Sequence, residues 1–144
     1  MASMSDYLET NLINHIFRTG SFAKPSTIAI ALCTAAPTDA STGATITEVA
    51  NTGGYARVNV GAPADANWAA TSGGNGTTSN MAAITFPTAT ADWNAPVTHV
   101  AVVDSATYGA GNVLFWGALA SPKTVTNGDT FQFAISQIQI QIDN

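Results

Sequence analysis

The side chains able to do chemistry in this chain are few and spaced apart. There are two histidines, His15 and His99, one cysteine, Cys33, and nine carboxylates. Neither histidine has a second His, Cys or carboxylate at metal-ligand spacing, so no metal site is expected. GxSxG, HExxH, P-loop and GxGxxG contexts are all missing. "TYGAGN" has no following helix to cradle a phosphate. Asp65, Asp92 and Asp104 lie near aromatics, where a glycosidase pair would sit. Each falls in a predicted turn, where Asp bonds its own backbone, and Asp39 reads the same way. Cys33 lies in the apolar run "IAIALC" and reads as a small buried hydrophobe. The expectation is a chain with no catalytic residue, no cofactor and no metal. One constellation stands apart: Glu48 and Arg57 flank Gly53-Gly54 at a spacing that lets them pair. Such a pair is either a weak surface contact or one buried at a subunit contact.

Composition points away from other classes. Only 9% of the 144 residues are charged, and 46% are hydrophobic. An ordinary soluble domain carries roughly 25% charge. The surface is therefore polar but weakly charged, which lowers the cost of burying it against other protein. Net charge is −5 with four scattered basic residues, so no phosphate-neutralising footprint exists and nucleic-acid binding is not expected. A lone cysteine permits no internal disulfide and suits synthesis and assembly in a cytosol. The N-terminus does not read as a signal peptide, and no apolar run suits a membrane helix.

These side chains must be held by a mainly β scaffold. One helix is predicted over about 6–19. It starts at Asp6 (as a capping residue with Glu9) or at Ser5, and carries Leu8, Leu12 and Ile16, widened by Ile13 and Phe17. Its apolar face should lie on the domain body or dock on a neighbouring subunit. Short strands follow, punctuated by Gly, Pro, Asn and Asp. "STIAIALCT" reads as a central strand covered on both faces. "TEVANTGGYARVNV" reads as a hairpin turning at Gly53-Gly54. Residues 61–76 form a Gly-rich loop in which Trp68 either anchors to the core or reaches a partner. In "VTHVAVVDSA", Val97, His99, Ala101 and Val103 should face one way. The last strand, about 130–143, breaks its own rhythm: Phe131, Phe133 and Ile135 are apolar at odd positions, and Ile138, Ile140 and Ile142 at even ones. A bulge, a bend between sheets, or an end that leaves its own domain would each explain this. The whole is expected to be one domain, 1–144, an antiparallel β-sandwich or jelly-roll-like barrel with one N-terminal α-helix.

The order of segments resembles a family of small tailed-bacteriophage virion proteins, often labelled tail fibre or minor structural protein. "GGYAR", Gly53 to Arg57, and "ITFPTATADW", Ile84 to Trp93, carry most of the resemblance, which spans nearly the whole chain. It implies a β-rich particle component without enzymatic activity. The leading expectation is a capsid cement, or decoration, protein on the outer capsid surface. It would be a homotrimer bridging major capsid protein subunits through many modest contacts. The alternative is a tail, baseplate or short tail-fibre component contacting tail proteins, and a third is a sugar-binding module stacking on Trp68 and Trp93. Candidate interface residues are Arg57, Glu48, Trp68, Ile138, Ile140 and Ile142.

Overall fold

The computed structural model describes residues 3–72, 74 and 76–142. Ten elements follow in order: β1 (Ser3–Met4), α1 (Asp6–Phe17), β2 (Ile28–Cys33), β3 (Val58–Gly61), β4 (Thr78–Ser79), β5 (Ile84–Thr85), β6 (Val97–Val103), β7 (Val113–Lys123), β8 (Gln132–Phe133) and β9 (Gln139–Ile140). One five-stranded sheet has the order β1-β7-β6-β2-β3, and two small ladders pair β4 with β9 and β5 with β8. Every pairing is antiparallel. The protein is mainly β with one helix near its N-terminus, and no sheet closes into a barrel.

β2 has the covered environment its composition predicts, with all six residues buried. Alternation sends Ile28, Ile30 and Leu32 to one face and Ala29, Ala31 and Cys33 to the other. The large face meets Val102 and Leu114 from its own sheet and Tyr55, Ile84, Phe86, Trp93, Phe133, Ile138 and Ile140 from the covering layer. On the small face, Ala101, Val103 and Val113 complete a thin second core closed by Ile46. Val97 joins the large face, not the His99 face. A register shift between Val97 and His99 resets the alternation there.

The predicted hairpin around Gly53-Gly54 is corrected. Val58–Gly61 pairs with the first half of β2, Ile28–Ile30. Glu48 bridges to Cys33 and the Val49 N–H bonds Leu32 O at the other half. The two flanking runs thus lie end to end along one edge of β2 instead of against each other. The chain between them loops out and turns at Gly53 and Gly54, both with positive φ. A Cβ on Gly54 would lie 2.9 Å from Thr88 O, so the close approach also requires glycine. Through that contact the segments Gly53–Arg57 and Ile84–Trp93 lock together. Tyr55 stacks on Phe86 at 6.2 Å and meets Trp93 edge-on at 5.3 Å, while Trp93 Nε1 donates to Gly53 O at 3.2 Å.

The last segment is not one strand over 130–143, and residue 143 lies outside the described residues. β8 and β9 run antiparallel to β5 and β4, with Phe133 opposite Ile84 and Gln139 opposite Ser79. Between these pairs lie five residues on the C-terminal strand, 134–138, and four on its partner, 80–83. The excess of one residue is what a bulge supplies, here enlarged into a turn. It moves the inward set from Phe133 to Ile138 and Ile140, and leaves Ile135 outside at 61% exposure. The turn places Ser136 at φ +63°, the one described non-glycine residue with positive φ. A left-handed residue with a Cβ costs about 1–2 kcal/mol, whereas glycine adds about 0.4–1 kcal/mol of unfolded-state entropy. Ser136→Gly should therefore raise stability modestly and Ser136→Val lower it, both read as shifts in the urea midpoint at unchanged slope.

α1 is shorter than predicted, and Ser5 rather than Asp6 is its cap: its side-chain oxygen accepts the Leu8 N–H. Ser5 is fully buried, and its hydroxyl also donates to Val113 O. The expected burial of the apolar face is corrected too. No residue of α1 is buried. Leu8 leans on the core, while Ile13, Ile16 and Phe17 point outward. The twelve-residue helix is held by its N-terminal anchor at β7, which does not lay the whole apolar stripe down.

Candidate functional site

The nominated chemical side chains are dispersed and engaged locally. His15 Nδ1 accepts the Phe22 N–H at 3.2 Å, and His99 Nδ1 meets Thr98 Oγ1 at 2.8 Å. Asp104 accepts from the Asn112 backbone and side chain at 2.6 and 2.8 Å, and Asp92 accepts the Asn127 N–H at 2.8 Å. Asp65 lies in a turn, and Asp39 offers its backbone carbonyl to the Asp6 N–H. Among the described residues, no three His, Cys, Asp or Glu side chains come together as a metal cage. Trp93 is buried with its N–H committed to Gly53, and Trp68 is half-buried and packs on the core.

Glu48 and Arg57 do meet, inside the chain. Their side chains are 2% and 0% exposed, and Arg57 Nη2 lies 2.7 Å from Glu48 Oε2. Nε donates to both carboxylate oxygens at 2.9 and 3.2 Å. Nη1 donates to the carbonyls of Ser105, Thr107 and Ala110 at 2.8–3.0 Å, and Nη2 to Gly43 O at 2.9 Å. Glu48 also accepts the Tyr55 hydroxyl at 2.7 Å, whose oxygen accepts the Leu32 N–H at 2.9 Å. One guanidinium thus ties the loop through Gly43 and the loop of residues 105–110 to the edge of β2. In this folded chain the pair faces its own loops.

Burial here governs proton affinity. Desolvation, with a smaller push from Glu48, drives the Cys33 thiol from its ordinary 9.0 up to about 12. Burial first and Glu48 second raise the Tyr55 hydroxyl above its ordinary range. Both acids keep protons in the fold that the unfolded chain releases. Stability is therefore complete below the unfolded thiol value and falls as pH rises from 9.0 toward about 12. Cys33 should resist alkylation in native protein and react once the chain is unfolded, and the denaturation midpoint should drop steadily above about pH 9. Rapid native labelling at neutral pH would contradict this.

Two exposed features remain. The first is a groove of about 530 Å³ between β7 and the C-terminal segment, where the two layers part. Its lining includes Phe115, Leu119, Phe131, Phe133, Ile138 and Ile140. Lys123 is the one charged residue on its wall. The second is the outer face of α1, with Ile13, Ile16 and Phe17 at 54%, 58% and 75% exposure. Of the other nominated interface residues, Ile138 and Ile140 are buried in the core and border the groove, and Ile142 is exposed. Sequence reasoning missed Asn80, a fully buried amide at the break between β4 and β5. Its signal was slight: an Asn between two strand-forming runs reads first as a turn residue.

The architecture so far defines a small antiparallel β-protein whose charged pair serves its own loops and whose groove and outer helix end carry large apolar side chains. A family model described as Podophage GP4 fiber I protein gp80 matches residues 3–141, and the chain belongs to that family. It is thus a phage virion structural protein of fibre-like type. A search of curated proteins gives no match.

Proposed function

We propose that this protein is a short fibre or tail component, self-associating and without enzymatic activity, that works by contact with neighbouring tail proteins. The family match over residues 3–141 carries the reading. The physical support is the fate of the side chains: the buried charged pair is committed to holding loops, while a groove of mixed apolar and polar lining and the apolar end of α1 stand open. Such a component would act as an adaptor or tip. Many modest contacts repeated by symmetry would supply its grip.

A cement role on the outer capsid surface, clamping major capsid subunits as a trimer, is the second reading. The compact β body and the weakly charged sequence favour it equally. Copy number divides the two. Quantitative mass spectrometry of purified virions, with immunogold localisation, should find this chain far less abundant than the shell protein and at the tail. Near-parity with the shell protein and label over the capsid would replace the fibre reading with the cement one. Absence from the virion would end both.

A further inference from the structure

We infer that the outer face of α1 from one copy seats in the β7 groove of a second copy, so that the chain assembles head to tail. The inference deepens the proposed structural role and rests on it. α1 is too short to be stable alone in water, because helices below about 12–15 residues depend on packing an apolar face. Yet none of its residues is buried. Asp6, Glu9, Ile13, Ile16 and Phe17 follow one another around a single outward stripe, acidic at its start and apolar at its end. Along β7 the groove offers the matching order, Phe115 and Leu119 and then Lys123 where the strand ends, with Gln132, Gln137 and Gln139 among the residues of the facing wall. Carboxylates and ammonium would meet at one end while Ile13, Ile16 and Phe17 fill the other. The dimensions allow this, since the rise from Glu9 to Phe17 is about 12 Å and the stretch from Lys123 back to Leu119 is about 14 Å.

The helix that fills the groove must come from another copy. Within one chain α1 is anchored beside the start of β7. β1 pairs Ser3 and Met4 with Trp116 and Phe115, and the Ser5 N–H bonds Leu114 O at 3.1 Å. No residue of α1 lines the groove. Because the two surfaces differ and both belong to every copy, each chain gives one helix and receives one. Such heterologous contacts close into a ring when the rotation per copy allows it.

The test uses the full chain. Sedimentation across a concentration series should show wild type self-associating. Phe17→Asp, on an exposed residue, should weaken association at least about tenfold, as loss of an aromatic anchor does, with thermal stability unchanged. Lys123→Glu, also exposed, should weaken it less and be restored by Glu9→Lys. Leu119→Asp should likewise yield monomers. Mixing the Phe17→Asp and Leu119→Asp chains should then form dimers, since one intact groove meets one intact helix. Wild type that stays monomeric throughout, association unmoved by Phe17→Asp, or a failure of the charge reversal to restore it would each overturn the inference. Should Leu119→Asp not fold, the charge-reversal pair decides. A monomeric wild type still found at the virion tail would overturn this contact and the self-association, and leave the tail placement standing.

Discussion

Arg57→Ala should cost about 3–5 kcal/mol, the usual penalty for leaving one partner of a buried ion pair without the other. That is a large share of a total stability of about 5–15 kcal/mol, and a fall of about 10–20 °C in Tm follows for a chain of this size. The loss comes from several sources at once. Glu48 keeps a buried carboxylate with only Tyr55 still donating to it. The carbonyls of Gly43, Ser105, Thr107 and Ala110 lose a donor together. Arg57→Lys should recover little, because an ammonium has three donors and no planar fork to serve a carboxylate and four carbonyls. Lys123→Ala, on an exposed residue, should stay within about 0.5 kcal/mol. Differential scanning calorimetry on the three variants checks the order. Near-equal melting for Arg57→Ala and Lys123→Ala would show that the network contributes little.

Particular residues show how much was readable in advance. β2 was legible because "IAIALC" is short and apolar on both faces, as a central, covered strand is. The Glu48–Arg57 pairing was legible because two opposite charges flank a glycine turn in a chain with hardly any others. Its location was not. Spacing says that two side chains can meet, whereas burial depends on the loops at Gly43 and 105–110, which arrive from distant sequence. The hairpin failed for a related reason: both runs found the edge of β2, and sequence cannot rank a local partner against a remote one. α1 was legible as a helix from its periodicity, but not as a helix left uncovered. An apolar stripe states that something packs there, never what. The break at Ser136 was visible in the alternation of Phe133 and Ile138. The bulge and sheet-change explanations each hold part of the answer, since the chain moves from one ladder to the next through one extra residue.

Asn80 holds that break together, and its replacement by aspartate should show it through pH. The Asn80 side chain donates to Ala82 O at 2.8 Å and Ala134 O at 2.9 Å and accepts the Ile138 N–H at 2.9 Å. Its backbone adds bonds to Ser136 N and Ile138 O. An ionised carboxylate is acceptor-only, so Asn80→Asp turns two attractive contacts into carboxylate–carbonyl repulsions in a buried site. Protonation gives back one donor. The folded-state pKa of the new acid is therefore raised above its unfolded value near 3.9. Since the native variant binds a proton more tightly than the unfolded one, its stability falls as pH rises above the unfolded value and levels off above the folded one. At neutral pH the loss should reach about 2–4 kcal/mol, from two broken bonds and the desolvated charge. Asn80→Ala should lose about as much at every pH. Removing residues 137–144 should be harsher still, taking Ile138 and Ile140 from the core along with the bonds to Asn80. Limited proteolysis should find cleavage beginning near 134–138 in Asn80→Asp at neutral pH and retreating at about pH 5, while wild type resists at both. An equal response of the Asp and Ala variants to acid would show that the amide is not the clamp its geometry describes.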